Sequence, residues 1–116
     1  VTITVDAPVT LLAMRVADIA MSLTVNKKGN AQAGAAVRLL DASGQPAVGA
    51  GINGTWSGLA SKTESATTDG TGVARFSSPS IRSKSGTFVF SVTGAALNGY
   101  VYAPATNTET SDSISR

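Results

Sequence analysis

Apolar residues along this chain recur at every second position in short runs, and turn-forming residues separate the runs. Ile19, Met21, Leu23 and Val25 alternate with Ala20, Ser22 and Thr24, which predicts a half-buried strand with one apolar face. The polar stretch Asn26-Lys27-Lys28-Gly29-Asn30 predicts a turn, with Gly29 free to take positive φ. Ala33, Ala35, Val37 and Leu39 then alternate with Gln32, Gly34, Ala36 and Arg38, so the two runs read as a hairpin. A helix over the Ala-rich residues 31–40 competes on composition, but Gly29 and Gly34 weaken it.

The same rhythm continues downstream. Asp41-Ala42-Ser43-Gly44-Gln45-Pro46 is a turn, and Ile52, Gly54 and Trp56 share a face of the next strand, which Ser57-Gly58 ends. Residues 62–68 are polar and β-prone, as expected of a short edge strand. Asp69-Gly70-Thr71-Gly72 turns the chain into Val73-Ala74-Arg75-Phe76, with Ala74 and Phe76 facing inward. Phe88, Phe90 and Val92 line one face of another strand. Asn98-Gly99 predicts a type I′ hairpin turn, with Tyr100-Val101-Tyr102 as the return strand and Pro104 ending it. A last strand is expected near Ile114 in the polar tail. Upstream, Val1-Thr2-Ile3-Thr4-Val5 alternates as a strand and stops at Asp6-Ala7-Pro8. Residues 1–12 therefore read as the strand tail and linker of a preceding module, or as a first edge strand, and residues 13–116 as the domain. About seven short strands with turns every eight to twelve residues predict an all-β antiparallel β-sandwich.

Composition narrows the chemistry. The 116 residues make one domain, and Leu, Ile, Val and Phe total 26, enough for one core. The chain contains neither His nor Cys, which excludes the usual zinc sites, thiol nucleophiles, disulfides and Ser-His-Asp triads. Nine Lys and Arg against seven Asp and Glu give a net charge of +2, and the only adjacent basic pair is Lys27-Lys28. Arg82 and Lys84 form a second small cluster. Neither resembles the dense basic stripe of a nucleic-acid binder, so no nucleic-acid partner is expected. No apolar run approaches the roughly 20 residues of a membrane-spanning helix, so no membrane insertion is expected. No signal peptide is visible and the chain starts at Val1, which suggests a piece of a longer polypeptide. Charged residues are only 14%, while Ser and Thr number fourteen each, a surface that leans towards an exported bacterial protein.

Two stretches carry a family resemblance. The first runs from Val37 through Asp41-Ala42-Ser43-Gly44-Gln45-Pro46-Ala47-Val48-Gly49-Ala50 to Ile52, Gly54 and Trp56-Ser57-Gly58. The second is Thr67-Thr68-Asp69-Gly70-Thr71-Gly72-Val73-Ala74-Arg75-Phe76. Together they resemble the bacterial immunoglobulin-like and fibronectin-type-III-like repeats of secreted and surface multidomain proteins, and the related carboxypeptidase regulatory-like domains. In that pattern Ala47 replaces a Val, which Val48 would supply one place late. Gly86-Thr87-Phe88-Val89-Phe90-Ser91-Val92 extends the likeness. The resemblance covers roughly residues 13–103. It implies an immunoglobulin-like sandwich acting as a non-catalytic accessory module, a spacer or docking domain for a catalytic or adhesive neighbour. Its partners would be neighbouring domains of the same chain, a polysaccharide or a surface protein, and its location extracellular or at the cell surface.

Few residues invite a sharper reading. The Asp41 and Asp69 carboxylates suit backbone N–H groups two residues on, as turn aspartates do, with a cation contact as the alternative. Trp56 suits a core anchor, burying about 150–250 Å² as aromatic side chains do. The alternative is a sugar-stacking platform of Trp56, Tyr100 and Tyr102, which would make the chain a carbohydrate-binding module. The two tyrosines suit strand positions with rings on the core and hydroxyls at the rim equally well. Glu64, Asp69, Glu109 and Asp112 are the carboxylates from which a glycosidase pair would have to come, but no spacing brings two together. No Gly-x-Ser-x-Gly elbow is present, and Asn53-Gly54-Thr55 matches a glycosylation acceptor on a strand. No catalytic residue, cofactor or metal is predicted.

Overall fold

The computed structural model describes residues 12–82, 85–104 and 107–115, so the Val1–Val5 strand and the Pro8 linker lie outside the described residues. Nine strands follow one another with no α-helix among the described residues. They are β1 (Leu12–Val25), β2 (Asn30–Asp41), β3 (Gly51–Gly58), β4 (Lys62–Thr67), β5 (Val73–Ser77), β6 (Ile81–Arg82), β7 (Thr87–Ala96), β8 (Tyr100–Tyr102) and β9 (Ser111–Ser115). The sequence anticipated about seven, among them a return strand at Tyr100–Tyr102; the two-residue β6 is the strand it did not anticipate.

One sheet runs β5-β2-β1-β8, with β6 also on β2, and the other runs β4-β3-β7-β9. All pairings are antiparallel except β1 with β8, which run parallel. The two sheets pack face to face as an all-β sandwich. Ala31, Ala33, Ala35, Val37 and Leu39 point inward from β2, and Ile52, Trp56, Phe88 and Phe90 from the opposite sheet, all buried. At the centre the Phe90 ring lies between Trp56, with centroids 4.9 Å apart, and Phe76 of the other sheet at 4.7 Å. Gly54 makes room for this stack, because a Cβ there would run into the Phe90 ring.

β1 starts at Leu12, well before the alternation at Ile19, and takes up a residue assigned to the linker from sequence. The reason is a register shift between Val16 and Asp18. Such a bulge adds one residue and reverses the parity of inward positions. Met14 and Val16 therefore share the core face with Ile19, Met21 and Leu23, and an even-to-odd switch conceals the first half of the strand from a period-two reading.

Three of the turns repeat one design. Asn26, Asp41 and Asp69 each open a turn whose fourth residue is a glycine at positive φ: Gly29 at 84°, Gly44 at 83° and Gly72 at 78°. In each, the first residue's Oδ1 accepts the backbone N–H groups two and four residues on, at 2.9–3.2 Å. Its own backbone N–H donates to the carbonyl of the fifth residue, at 2.8–3.0 Å. The Asp41 and Asp69 turns also begin the passages between sheets, and buried Thr68 joins those passages. Its hydroxyl accepts from Ala50 N at 2.8 Å and donates to Ala47 O at 2.6 Å. Ala47 is fully buried and Val48 is 52% exposed, so Val48 does not fill the apolar position expected of it.

Asn98-Gly99 does not form the anticipated hairpin. Only Gly99 has positive φ there, whereas a type I′ turn needs it at both central residues. Tyr100 N donates to Leu97 O at 3.0 Å, closing a turn with positive φ at its third residue, the type II pattern. That turn splays the flanking segments, and β8 joins β1 in the other sheet instead of returning along β7.

Candidate functional site

The three aromatic residues singled out from sequence do not meet on one surface. Trp56 is fully buried on the inner face of β3, so its ring is unavailable as a stacking platform. Only its polar tip reaches the margin of the sandwich. Nε1–H donates to Glu64 Oε2 at 3.3 Å, and the Lys62 ammonium lies 3.2 Å from the same oxygen. Glu64 Oε1 accepts Ser77 N–H from β5 at 3.2 Å, so this carboxylate on β4 ties the two sheets together along one side. Its work in the structure is to hold the sandwich closed.

Tyr100 and Tyr102 do come together, on β8. Both are half-buried and packed against the core. They line an open groove of about 530 Å³ with Ala95, Ala96, Leu97 and Val101. The Tyr102 hydroxyl accepts from Asn107 Nδ2 at 2.6 Å, while Asn107 Oδ1 accepts Val16 N–H at 2.8 Å. The tyrosine is thereby held against the bulged stretch of β1. Val101, which lines the groove, is 46% exposed, and Leu12, opposite Tyr100, is 40% exposed.

The aspartates at the turns are occupied. Hydrogen bonding to Gln45 N–H, aided by Ser43, holds the Asp41 carboxyl below the usual aspartate range. The Thr71 hydroxyl, 2.6 Å away, and the Thr71 and Val73 N–H groups do the same for Asp69. Among the described residues no three His, Cys, Asp or Glu side chains converge as a metal site would require.

One grouping escaped the sequence. Glu109 Oε2 accepts Ile19 N–H at 3.0 Å, and the Asp112 and Asp18 carboxylates lie close enough to act on it. Burial first, and then those two negative charges, push the Glu109 carboxyl up. Glu109 and Asp112 are three residues apart in the polar tail. Their approach to Asp18, however, depends on residues 107–109 running along β1, and no local pattern announces that.

Comparison with protein-family models, with curated proteins and with solved structures gave no match.

Proposed function

We propose that this chain is a non-catalytic immunoglobulin-like, fibronectin-type-III-like accessory module of an exported bacterial multidomain protein, acting as a rigid spacer or docking unit for its neighbours. The strand order carries this reading. Taken as A, B, C, E, F and G, the strands β1, β2, β3, β5, β7 and β9 put A, B and E in one sheet and C, F and G in the other. β4 then lies beside C, where variable-type immunoglobulin domains carry C′. The turn aspartates, Thr68 and Glu64 all serve to hold sheets and crossings in place, as a module whose task is geometric requires. The exposed Leu12 and Val101 lie at the end where the chain enters, which suits contact with a preceding domain.

A second reading, a carbohydrate-binding module, is favoured by the groove alone and rests on Tyr100 and Tyr102 without Trp56. Affinity electrophoresis through soluble polysaccharides, with retention on insoluble glycans, separates the two. Migration unaffected by every glycan supports the accessory module. Retardation by one glycan, abolished in Tyr100→Ala and Tyr102→Ala variants of unchanged fold, replaces it with the second reading.

A further inference from the structure

The sandwich has four lateral edges, and three are guarded in the ways that discourage further strand pairing. The β4 edge carries Lys62 and Glu64, the β9 edge carries Asp112, and the β5–β6 edge carries Arg75 and Arg82 and is interrupted at Ser78-Pro79-Ser80. The fourth edge, that of β1, is covered over only part of its length. β8 pairs with Leu12–Met14, and Ala103 N donates to Met14 O at 2.9 Å. Asn107 and Thr108 then satisfy Val16, and Glu109 accepts from Ile19 N. Beyond Ile19 the cover stops.

Ala20-Met21-Ser22-Leu23-Thr24-Val25 contains no charge, no proline and no bulge, and it pairs regularly with β2 on its other side. Because Ile19 N–H points outward to Glu109, the two-residue period turns the N–H and C=O groups of Met21, Leu23 and Val25 outward as well. Among the described residues nothing pairs with them. Met21 and Leu23 are partly buried and Val25 is 42% exposed, so the inward row is itself incompletely covered at this edge.

We propose that residues 20–25 of β1 form a homodimer interface in which two copies pair antiparallel about a two-fold axis at Leu23, joining their β1-containing sheets into one. The edge is self-complementary in this register. Met21 faces the partner's Val25, Leu23 faces the partner's Leu23, and each is a hydrogen-bonded pair because all three point outward. The inward apolar rows of the two copies become continuous, while the other face sets Ser22 against the partner's Thr24 and Ala20 against the partner's Asn26. Charge selects the same register. The exposed Lys27-Lys28 turn projects just past Val25 and lies beside the partner's Asp18 and the partner's Glu109. Each dimer thus sets two basic turns on two acidic groups. The pairing does not depend on which neighbouring domain the module serves.

Sedimentation velocity over a concentration series tests this, with amide hydrogen exchange recorded at both ends of the series. A monomer–dimer equilibrium that weakens with salt is expected, with Met21, Leu23 and Val25 amides exchanging more slowly at high concentration. Lys28→Glu should raise the dimer dissociation constant roughly tenfold, as two surface ion pairs become repulsive, and Asp18→Lys in the same chain should restore it. Leu23→Pro, which removes the donor at the axis, should leave a monomer. The charge variants keep the test decisive should the proline variant fail to fold. A monomer at every concentration overturns the proposal. So does a dimer indifferent to the charge exchange, which would place the contact elsewhere.

Discussion

The indole N–H of Trp56 donates to the Glu64 carboxylate at 3.3 Å, and through that carboxylate the largest core side chain is linked to the opposite sheet. A fully buried tryptophan needs a partner for its one polar atom, and β4 provides it two residues beyond Lys62, which pairs with Trp56 in the ladder. Trp56→Ala should cost about 3–5 kcal/mol in urea unfolding, as expected for a large aromatic removed from a packed core. Glu64→Gln keeps one acceptor oxygen and so serves one of the two N–H groups, and should cost less than Glu64→Ala, which strands both the indole N–H and the Ser77 N–H. Equal losses for the two Glu64 variants would show that the hydrogen bonds contribute little.

Gly54 and Phe90 should behave as one unit. A methyl group at position 54 collides with the Phe90 ring, which is fully buried between Trp56 and Phe76 and has nowhere to go. Gly54→Ala should therefore destabilise by about 1–3 kcal/mol, the usual range for overpacking. Phe90→Leu destabilises by itself, but in that background Gly54→Ala should cost far less. A double-mutant cycle with no coupling would mean the ring moves aside freely.

How much of this was legible in the sequence depends on whether the signal was local. Val37, Leu39, Ile52, Trp56, Ala74, Phe76, Phe88 and Phe90 alternate within single strands, so their burial follows from a period of two. The turn at Asp41 was equally readable, because its carboxylate, Gly44 and Pro46 act within six residues. Residues 12–18 were not, since the bulge after Val16 breaks the parity that a strand reading relies on. Nor was the fate of Tyr100–Tyr102, whose partner is Leu12–Met14, far away along the chain. The Asn98-Gly99 pair looks like a hairpin from its residue types alone, and only the tertiary destination of β8 decides otherwise. For the same reason the acidic meeting of Glu109 with Asp18, and the bare edge beyond it, have no signature in either segment.

The recurrent turn gives a clean comparison between backbone strain and steric exclusion. Gly44 sits at φ 83° with nothing within 4 Å of an added Cβ, so Gly44→Ala pays only the left-handed backbone, about 1–2 kcal/mol. Gly72 has nearly the same φ, 78°, but its Cβ would lie 2.7 Å from Leu39 O and 3.0 Å from Pro46 Cβ. The Leu39 carbonyl is fixed in β2, and Gly72 O already accepts Leu39 N–H at 2.8 Å. Gly72→Ala should accordingly lower the melting temperature more than Gly44→Ala. Equal shifts would indicate that the Asp69 turn moves away from β2 at little cost.

Acid should act on two sets of carboxylates with opposite signs. Asp41 and Asp69 are held below the ordinary range by turn hydrogen bonds, so their ionised forms favour the fold. That contribution is complete above the unfolded value, about 3.9, and is lost as pH falls through the lowered folded values. Glu109 is pushed up by burial and by Asp112 and Asp18, so its protonated form favours the fold. Its contribution is present below the unfolded value, about 4.3, and is lost as pH rises through the raised one. Asn26 already performs the same turn with a neutral amide, so Asp41→Asn and Asp69→Asn keep the hydrogen bonds and remove only the charge. The double aspartate variant should be less stable than the parent at pH 7 and converge on it in strong acid. Glu109→Gln, which retains an acceptor for Ile19 N–H, should instead gain on the parent at pH 7 and lose that advantage as the pH is lowered. Urea midpoints for the three proteins from pH 2 to 7 give both curves. Parallel curves for the parent and Glu109→Gln would mean that Glu109 has the same proton affinity folded and unfolded.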